Sequence, residues 1–260
     1  MKDGKMLWHL LTDMDNQFLE ALDVFPPARV LEKAENNMVA MIKVPELNPG
    51  ENFSPTVIMR VDTISRDWLL EPTPSPNNEL KQLRGTYCTL QKHWELNNPI
   101  IQELTERIAE SSSNDESYAR LAFQVVRERV KLKTHLDVRL GAAEAAKGKE
   151  GDCDELSDLF IALCRAVKIP SRRVVGHYFR GGPEPEPHAW SEIYLENKGW
   201  IPVDPALSSF GILSEKYFSR IREGLVSERP TIQLMMSRTG SDMPLLEEIV
   251  NMRVLVNGTS

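Results

Sequence analysis

The chain has 260 residues, of which 41% are hydrophobic and 27% charged, and its formal net charge is −7. This length can form one large domain or two domains that each bury a core. The negative charge argues against nucleic acid as a partner, because phosphate binding needs concentrated Lys and Arg. No apolar run reaches the roughly 18 residues of a membrane span, so we expect a cytoplasmic protein without a membrane partner.

The first 70 residues predict a β-rich N-terminal domain. Short segments of β-branched and aromatic residues are separated by Pro, Asn and Gly, which is typical of antiparallel strands. Residues 71–78 contain three prolines and predict an extended linker. We therefore expect an N-terminal domain at residues 1–78 and a boundary region at residues 79–97. The predicted strands are residues 18–25, 28–33, 37–44 and 56–68.

Helical periodicity begins near residue 98. Residues 99–110 and 115–131 predict two helices, the second preceded by polar capping residues. Residues 141–146 are consistent with a short helix. The strongest helix follows Cys153 and ends before Pro170. Its apolar residues have the spacing of one buried helix face, and they are Leu156, Leu159, Phe160, Leu163 and Val167.

Strands return after this central helix. Residues 173–179 predict a strand, and residues 181–187 predict a loop rich in Gly and Pro. Residues 188–195 and 200–203 predict a β-hairpin. The C-terminal part predicts a helix and two strands, at residues 214–222, 231–236 and 251–256.

The three cysteines predict free thiols. Cys88, Cys153 and Cys164 form no CxxC pair, which argues against both a disulfide framework and a structural zinc site. Cys153 and Cys164 are separated by roughly 16 Å along a helix, beyond disulfide reach. We expect no metal site, and we interpret Cys88 and Cys164 as structural.

Cys153 stands at the start of the central helix, where a reactive cysteine is favoured. Free backbone N–H groups there stabilise a thiolate and can hold an oxyanion. Gly151 allows a close backbone approach just ahead of the helix. By position alone, a half-buried structural cysteine is an equal alternative. Asp152, Asp154 and Glu155 oppose a thiolate unless a cation compensates.

His188 and Asp204 lie on the two strands of the predicted hairpin. A carboxylate beside an imidazole fixes its tautomer and stabilises its charged form. A two-residue turn would put His188 opposite Leu207, so a wider turn or a bulge is needed to bring Asp204 alongside. His177 and His135 are alternative bases, but neither has an acid as well placed.

Three segments together resemble the core of the transglutaminase-like superfamily, over about residues 98–225. They are Gly151-Asp-Cys-Asp-Glu-Leu with the helix to Ile169-Pro-Ser-Arg, then His188-Ala-Trp-Ser-Glu-Ile-Tyr, then Gly199-Trp-Ile-Pro-Val-Asp-Pro. The resemblance implies an α+β, papain-like core at residues 98–260, including a C-terminal extension. It implies that Cys153 is the nucleophile of a thioester mechanism, His188 the general base and acid, and Asp204 the orienting carboxylate. No cofactor is implied.

The resemblance has departures that bear on function. Asp154 and Glu155 follow the cysteine, where animal cross-linking members carry aromatic residues. No calcium site, upstream oxyanion side chain or CxxC pair is matched. We therefore expect a peptide or protein substrate and hydrolysis rather than amine transfer. A cross-linking transglutaminase and a non-catalytic scaffold are the alternatives. We assign Trp190, Gly151 and Asp152 to the substrate cleft, although core packing is the simpler role for Trp190.

Overall fold

A computed structural model describes residues 4–48, 50–70, 79–133, 138–148, 150–181, 185–236 and 248–251. Within these ranges the chain is α+β, with a strand-rich N-terminal region followed by helices and a five-stranded sheet. The predicted fold class is confirmed. Along the same residues, no helix is long and apolar enough to cross a membrane.

The N-terminal region confirms the predicted strands and adds one. A four-stranded antiparallel sheet has the order β15-β1-β4-β3, and β2 pairs separately with β5. The predicted strand at residues 56–68 is divided into β5 and β6, and β1 was not predicted. The bounds are β1 (Gly4–His9), β2 (Gln17–Phe25), β3 (Arg29–Lys33), β4 (Asn37–Val44), β5 (Thr56–Thr63), β6 (Arg66–Asp67) and β15 (Ile232–Met236).

Five helices are described, and four of them were predicted. Asn98 caps α2 by accepting a hydrogen bond from the N–H of Ile100, and Asn114 forms a capping box with Ser117 at α3. α1 lies within the predicted boundary region; the division into domains stays a prediction, and the linker at residues 71–78 lies outside the described residues. The bounds are α1 (Leu80–Tyr87), α2 (Pro99–Glu110), α3 (Asp115–Arg129), α4 (Ala142–Ala146) and α5 (Cys153–Ala166).

A five-stranded antiparallel sheet packs against α5 in the order β12-β11-β10-β9-β14. The helix is buried almost throughout, so the sheet and the other helices enclose it. Two short pairs complete the description: β7 with β8, and β13 with β6. The bounds are β7 (Lys131–Leu132), β8 (Glu150–Gly151), β9 (Ser171–Tyr178), β10 (Glu186–Leu195), β11 (Gly199–Asp204), β12 (Ser209–Phe210), β13 (Ile212–Leu213) and β14 (Tyr217–Glu223).

The helix predicted at residues 214–222 is wrong, because this segment forms strand β14. All seven residues of β14 are buried, so the alternation that marks a half-exposed strand is absent. The predicted loop at residues 181–187 also ends too late, since β10 begins at Glu186. β15 confirms the strand at 231–236, while residues 252–256 of the last predicted strand lie outside the described residues.

Two buried amide side chains join the N-terminal region to β14, which is the edge strand of the five-stranded sheet. Gln17 donates to the carbonyl of Ser219 and accepts from its N–H, both at 2.8 Å. Asn37 does the same with Arg222, at 2.9 and 2.8 Å. Both amides therefore satisfy backbone groups that an edge strand otherwise leaves open.

Candidate active site

The start of α5 is fixed by a capping box around Asp152. The Asp152 carboxylate accepts from the N–H of Asp154 at 2.8 Å, and Glu155 accepts from the N–H of Asp152 at 3.1 Å. A Cβ on Gly151 would lie 2.7 Å from Cβ of Glu155 and 2.9 Å from Val130. Only glycine fits there without displacement. The roles of Gly151 and Asp152 in a substrate cleft stay predictions.

Cys153 is the first residue of α5 and is partly exposed. Burial, followed by the charges of Asp154 and Asp152, raises the pKa of its thiol to about 12, although a backbone hydrogen bond with Ala189 acts in the opposite direction. Cys153 is therefore a thiol at neutral pH. The expectation that the helix start favours a thiolate is wrong for the resting protein, because burial and the two carboxylates outweigh the helix end.

Arg173 is the cation that the sequence left unidentified beside Asp154. Its guanidinium pairs with the Asp154 carboxylate and also donates to Glu223 at 2.6 Å. Burial alone raises the pKa of Asp154, but Arg173 reverses this and holds the pKa below its ordinary value. Asp154 is thus ionised and paired. Arg173 lies on β9 and was not singled out from the sequence.

His188 and Asp204 are brought into direct contact. Nε2 of His188 lies 2.7 Å from Oδ2 of Asp204, and both side chains are buried. The same Oδ2 accepts from the hydroxyl of Tyr217 at 2.8 Å, while Oδ1 accepts from the N–H of Leu207 at 3.0 Å. The carboxylate is therefore held from three sides. Tyr217 was missed because its segment was read as a helix.

The strand register brings His188 and Asp204 together without a bulge between β10 and β11. Leu195 pairs with Gly199 and Ser191 with Val203, so residues 196–198 form a three-residue connection. One residue further, this register puts Asp204 opposite Trp190, two positions from His188. Diagonal neighbours on one face of a sheet are within reach of long side chains. The turn has three residues, one more than the two-residue turn of the sequence analysis. His188 and Asp204 meet as diagonal neighbours rather than as the directly opposed pair that we expected.

Trp190 is fully buried beside His188. The two rings stack at an interplanar angle of 25°, with centroids 6.0 Å apart, and Tyr217 meets the indole edge-on. Nε1 of Trp190 is buried without a hydrogen-bond partner within the described ranges. The indole packs in the core against His188, and its assignment to a substrate cleft stays a prediction.

The other candidates make no described hydrogen bond or ion pair with Cys153, His188 or Asp204. Burial raises the pKa of the Cys88 thiol to about 11 and that of Cys164 well above its ordinary value. Burial and the charge of Arg220 lower the pKa of His177 to about 4, so it is neutral and faces other partners. His135 lies outside the described residues.

Three side chains at the start of α5 lie close enough together to bind one cation. Asp152, Cys153 and Asp154 each offer a ligand atom within 4.8 Å of the others. However, Asp152 caps the helix, Asp154 is paired with Arg173, and the Cys153 thiol is protonated. A thiol must lose its proton to bind a metal, so this group fits a cation poorly.

One segment of the chain matches a known family model. Residues 102–205, which contain Cys153, His188 and Asp204, match the model of the transglutaminase-like superfamily. This segment is similar to the core of that superfamily. No curated protein matches the chain.

Two solved structures are similar to the chain at low identity. One, called "Putative Cysteine Protease", from Cytophaga hutchinsonii, is 19% identical, with a TM-score of 0.63 over 91% of this chain and 82% of that one. The periplasmic domain of TgpA from Pseudomonas aeruginosa is 16% identical, with a TM-score of 0.45 over 79% and 70% of the two chains. The first likeness extends the shared fold beyond the family match to most of the chain.

Proposed function

We propose that the protein is a cysteine-dependent amide hydrolase that attacks a peptide or glutamine amide through a thioester. The observation that carries the proposal is the 2.7 Å contact between His188 Nε2 and Asp204 Oδ2. It is supported by the backbone hydrogen bond between Cys153 and Ala189, the residue that follows His188. A buried carboxylate, an imidazole and a cysteine at a helix start are the parts of a nucleophilic site.

The first step uses the ring nitrogen of His188 that Asp204 leaves free. Because Nε2 faces the carboxylate, Nδ1 is available to take the proton of the Cys153 thiol. The sulfur attacks the amide carbonyl carbon, an S–C bond forms, and the carbonyl electron pair moves onto oxygen. Since the thiol is protonated at rest, proton transfer accompanies attack rather than preceding it.

The developing oxyanion needs donors that the resting protein does not use. The Asp152 side chain accepts from the N–H groups of Asp154 and Glu155, and its carbonyl accepts from Leu156. The N–H of Cys153 is the first-turn donor that this cap leaves unused. We assign it to the oxyanion of the tetrahedral intermediate.

The remaining steps return the site to its starting state. The tetrahedral intermediate collapses, the C–N bond breaks, and imidazolium at His188 protonates the leaving ammonia or amine. Water then loses a proton to His188 and attacks the thioester carbon, and the thiol of Cys153 leaves as the acid forms. Asp204 and Tyr217 hold His188 in position throughout. An amine in place of water would give a transferred amide.

The direct test supplies a glutamine-containing peptide with and without a labelled primary amine, and measures ammonia, cleaved peptide and incorporated label. We expect ammonia or cleaved peptide without amine, and none from Cys153→Ala. Cys88→Ala is the matched control and should retain activity. Label incorporation that exceeds hydrolysis without amine would support a cross-linking enzyme. Equal turnover by Cys153→Ala would overturn the assignment of the nucleophile.

A broader peptide library separates the enzyme from the scaffold alternative. If no peptide amide is hydrolysed or transferred while Cys153 remains unmodified, the non-catalytic scaffold becomes the better account. The site of action in the cell and the substrate class both stay predictions.

A further inference from the structure

A polar cavity of about 250 Å³ lies between the N-terminal region and the five-stranded sheet. None of Cys153, His188 and Asp204 lines it. The lining residue nearest to these three in sequence is Pro202, which precedes Asp204 by two positions on β11, about 7 Å along the strand. The cavity is therefore a neighbouring feature with a lining of its own. Its polar lining includes Asn16, Asn36, Arg172, Glu192 and Arg222.

Two buried arginines share one carboxylate in this lining. Arg172 donates from Nε to Glu192 at 2.6 Å, and Nε of Arg222 lies 3.4 Å from the same oxygen. The three side chains are 9%, 10% and 13% exposed, for Arg172, Arg222 and Glu192. This buried group carries one excess positive charge. The remaining acid of the lining, Asp15, is exposed to water, so its charge is screened more strongly.

One buried donor in the lining has no partner. Nδ2 of Asn16 makes no hydrogen bond, and the residue is 2% exposed. Nε of Arg222, in contrast, is paired with the carboxylate of Glu192 at 3.4 Å. Buried donors are normally satisfied by protein, water or ligand. An unsatisfied donor beside a buried group of excess positive charge indicates an acceptor that occupies the cavity.

The cavity also has an aromatic wall. The guanidinium of Arg172 lies 3.9 Å from the ring centroid of Trp200, so its position is fixed by stacking as well as by Glu192. The volume is smaller than that of pockets for drug-sized ligands, which is about 300–1,000 Å³. The occupant is thus a small molecule with an anionic acceptor group.

We propose that this cavity binds a small carboxylate compound, with the carboxylate accepting from Asn16, attracted by the excess positive charge that Arg172 and Arg222 carry over Glu192, and with its carbon chain against Trp200. Carboxylate oxygens match donors of this kind, and charge assistance strengthens the hydrogen bonds. Binding at this site goes beyond the proposed hydrolysis and does not depend on it. Loss of hydrolysis in Cys153→Ala should therefore leave carboxylate binding unchanged.

The test measures binding of acetate, propionate and succinate to the full chain by calorimetry, with acetamide, propionamide and succinamide as neutral counterparts. We expect at least one carboxylate to bind, and its amide to bind about tenfold more weakly or not at all. A crystal structure with the bound carboxylate should place it against Asn16 and Arg222. Water alone in the cavity at saturating carboxylate would overturn the proposal.

Matched variants locate the site. Asn16→Asp keeps the shape of the side chain but opposes an anion, so we expect carboxylate affinity to fall about tenfold or more. Asn98→Asp makes the same change at the cap of α2, where Asp caps as well as Asn, and should bind as the wild type does. Asn16→Ala removes one donor without adding charge and should weaken binding less than Asn16→Asp. Equal affinity of all three variants, or equal binding of acids and amides, contradicts the proposal.

Discussion

Tyr217 donates its phenolic hydrogen to Oδ2 of Asp204 at 2.8 Å, the same oxygen that meets Nε2 of His188 at 2.7 Å. Tyr217 lies on β14 and Asp204 ends β11, strands at opposite sides of the five-stranded sheet. One hydroxyl thus fixes the carboxylate that is proposed to fix the imidazole. Tyr217 acts as a positioning residue, since it reaches His188 only through Asp204.

Tyr217→Phe removes this donor and keeps the ring. A hydrogen bond to a charged group contributes about 1.5–3 kcal/mol, so we expect kcat of amide hydrolysis to fall about tenfold or more, with KM unchanged. Tyr178→Phe is the matched control, because its ring packs 4.9 Å from that of Tyr217 without contacting Asp204 through a described hydrogen bond. Similar losses in both variants would mean that ring packing, not the hydroxyl, matters.

Asp154 is expected to keep the Cys153 thiol weakly acidic. After burial, its charge is the largest influence that raises the pKa of Cys153 to about 12. Asp154→Asn leaves Arg173 beside the sulfur and should lower that pKa. In a His188→Ala background, alkylation of Cys153 by iodoacetamide should then begin at lower pH and be several-fold faster at any pH below about 11.

The control for this substitution is Asp62→Asn, an exposed position on β5. It should leave the pH profile of Cys153 alkylation unchanged. A profile that does not move in Asp154→Asn would show that burial alone sets the acidity of the thiol.

Arg173 is expected to be a strong determinant of stability. Arg173→Met leaves the partly buried carboxylate of Asp154 and the buried carboxylate of Glu223 without their shared cation. Glu223 keeps an ion pair with Arg139 at 3.7 Å. Breaking a buried pair costs about 3–5 kcal/mol, which urea unfolding would measure. Arg120→Met removes an exposed pair with Glu116 and should cost less than about 1 kcal/mol.

A rescue distinguishes unpaired charge from lost packing at Arg173. Adding Asp154→Asn and Glu223→Gln to Arg173→Met should recover part of the lost free energy of unfolding. No recovery would attribute the loss to the cavity that the shorter side chain leaves.

His177 gives the fold a pH dependence of known sign. Burial and Arg220 lower its pKa from 6.5 to about 4. Below pH 6.5 the unfolded chain binds the proton more readily than the folded one, so stability present above that pH is lost as pH falls towards 4. Between pH 7 and 4, the free energy of unfolding measured in urea should therefore fall by about 2–3 kcal/mol less in His177→Gln than in the wild type. An unchanged slope would assign the acid sensitivity to other groups.

The sequence predicted the parts of the fold that local patterns determine. Helical periodicity from residue 98, the polar capping residues before α3 and the apolar spacing of α5 located three helices, and the turn after Leu195 located the hairpin. Strand β1 was not predicted, because it is defined by pairing with β4 and β15, which are distant along the chain. Strand β14 carries Arg220, Arg222 and Glu223 in a buried setting, where their partners are non-local.

The candidate site also has residues that the sequence predicted and residues that it did not. Cys153, His188 and Asp204 belong to short motifs whose order along the chain is readable. Tyr217 contacts Asp204, and Arg173 contacts Asp154, only because the folded sheet brings them together. The spacing of residues along the chain therefore does not predict either contact. The acidity of Cys153 likewise depends on burial, which outweighs the effect of the helix start.

The rate at which iodoacetamide alkylates Cys153 at neutral pH, in the wild type and in His188→Ala, tests the central claim most directly. It requires no substrate, and peptide mapping separates Cys153 from the buried Cys88 and Cys164. If His188 takes the thiol proton, the rate should fall at least about tenfold in His188→Ala, and His177→Ala should react as the wild type does. Equal rates in the wild type and His188→Ala would contradict the account.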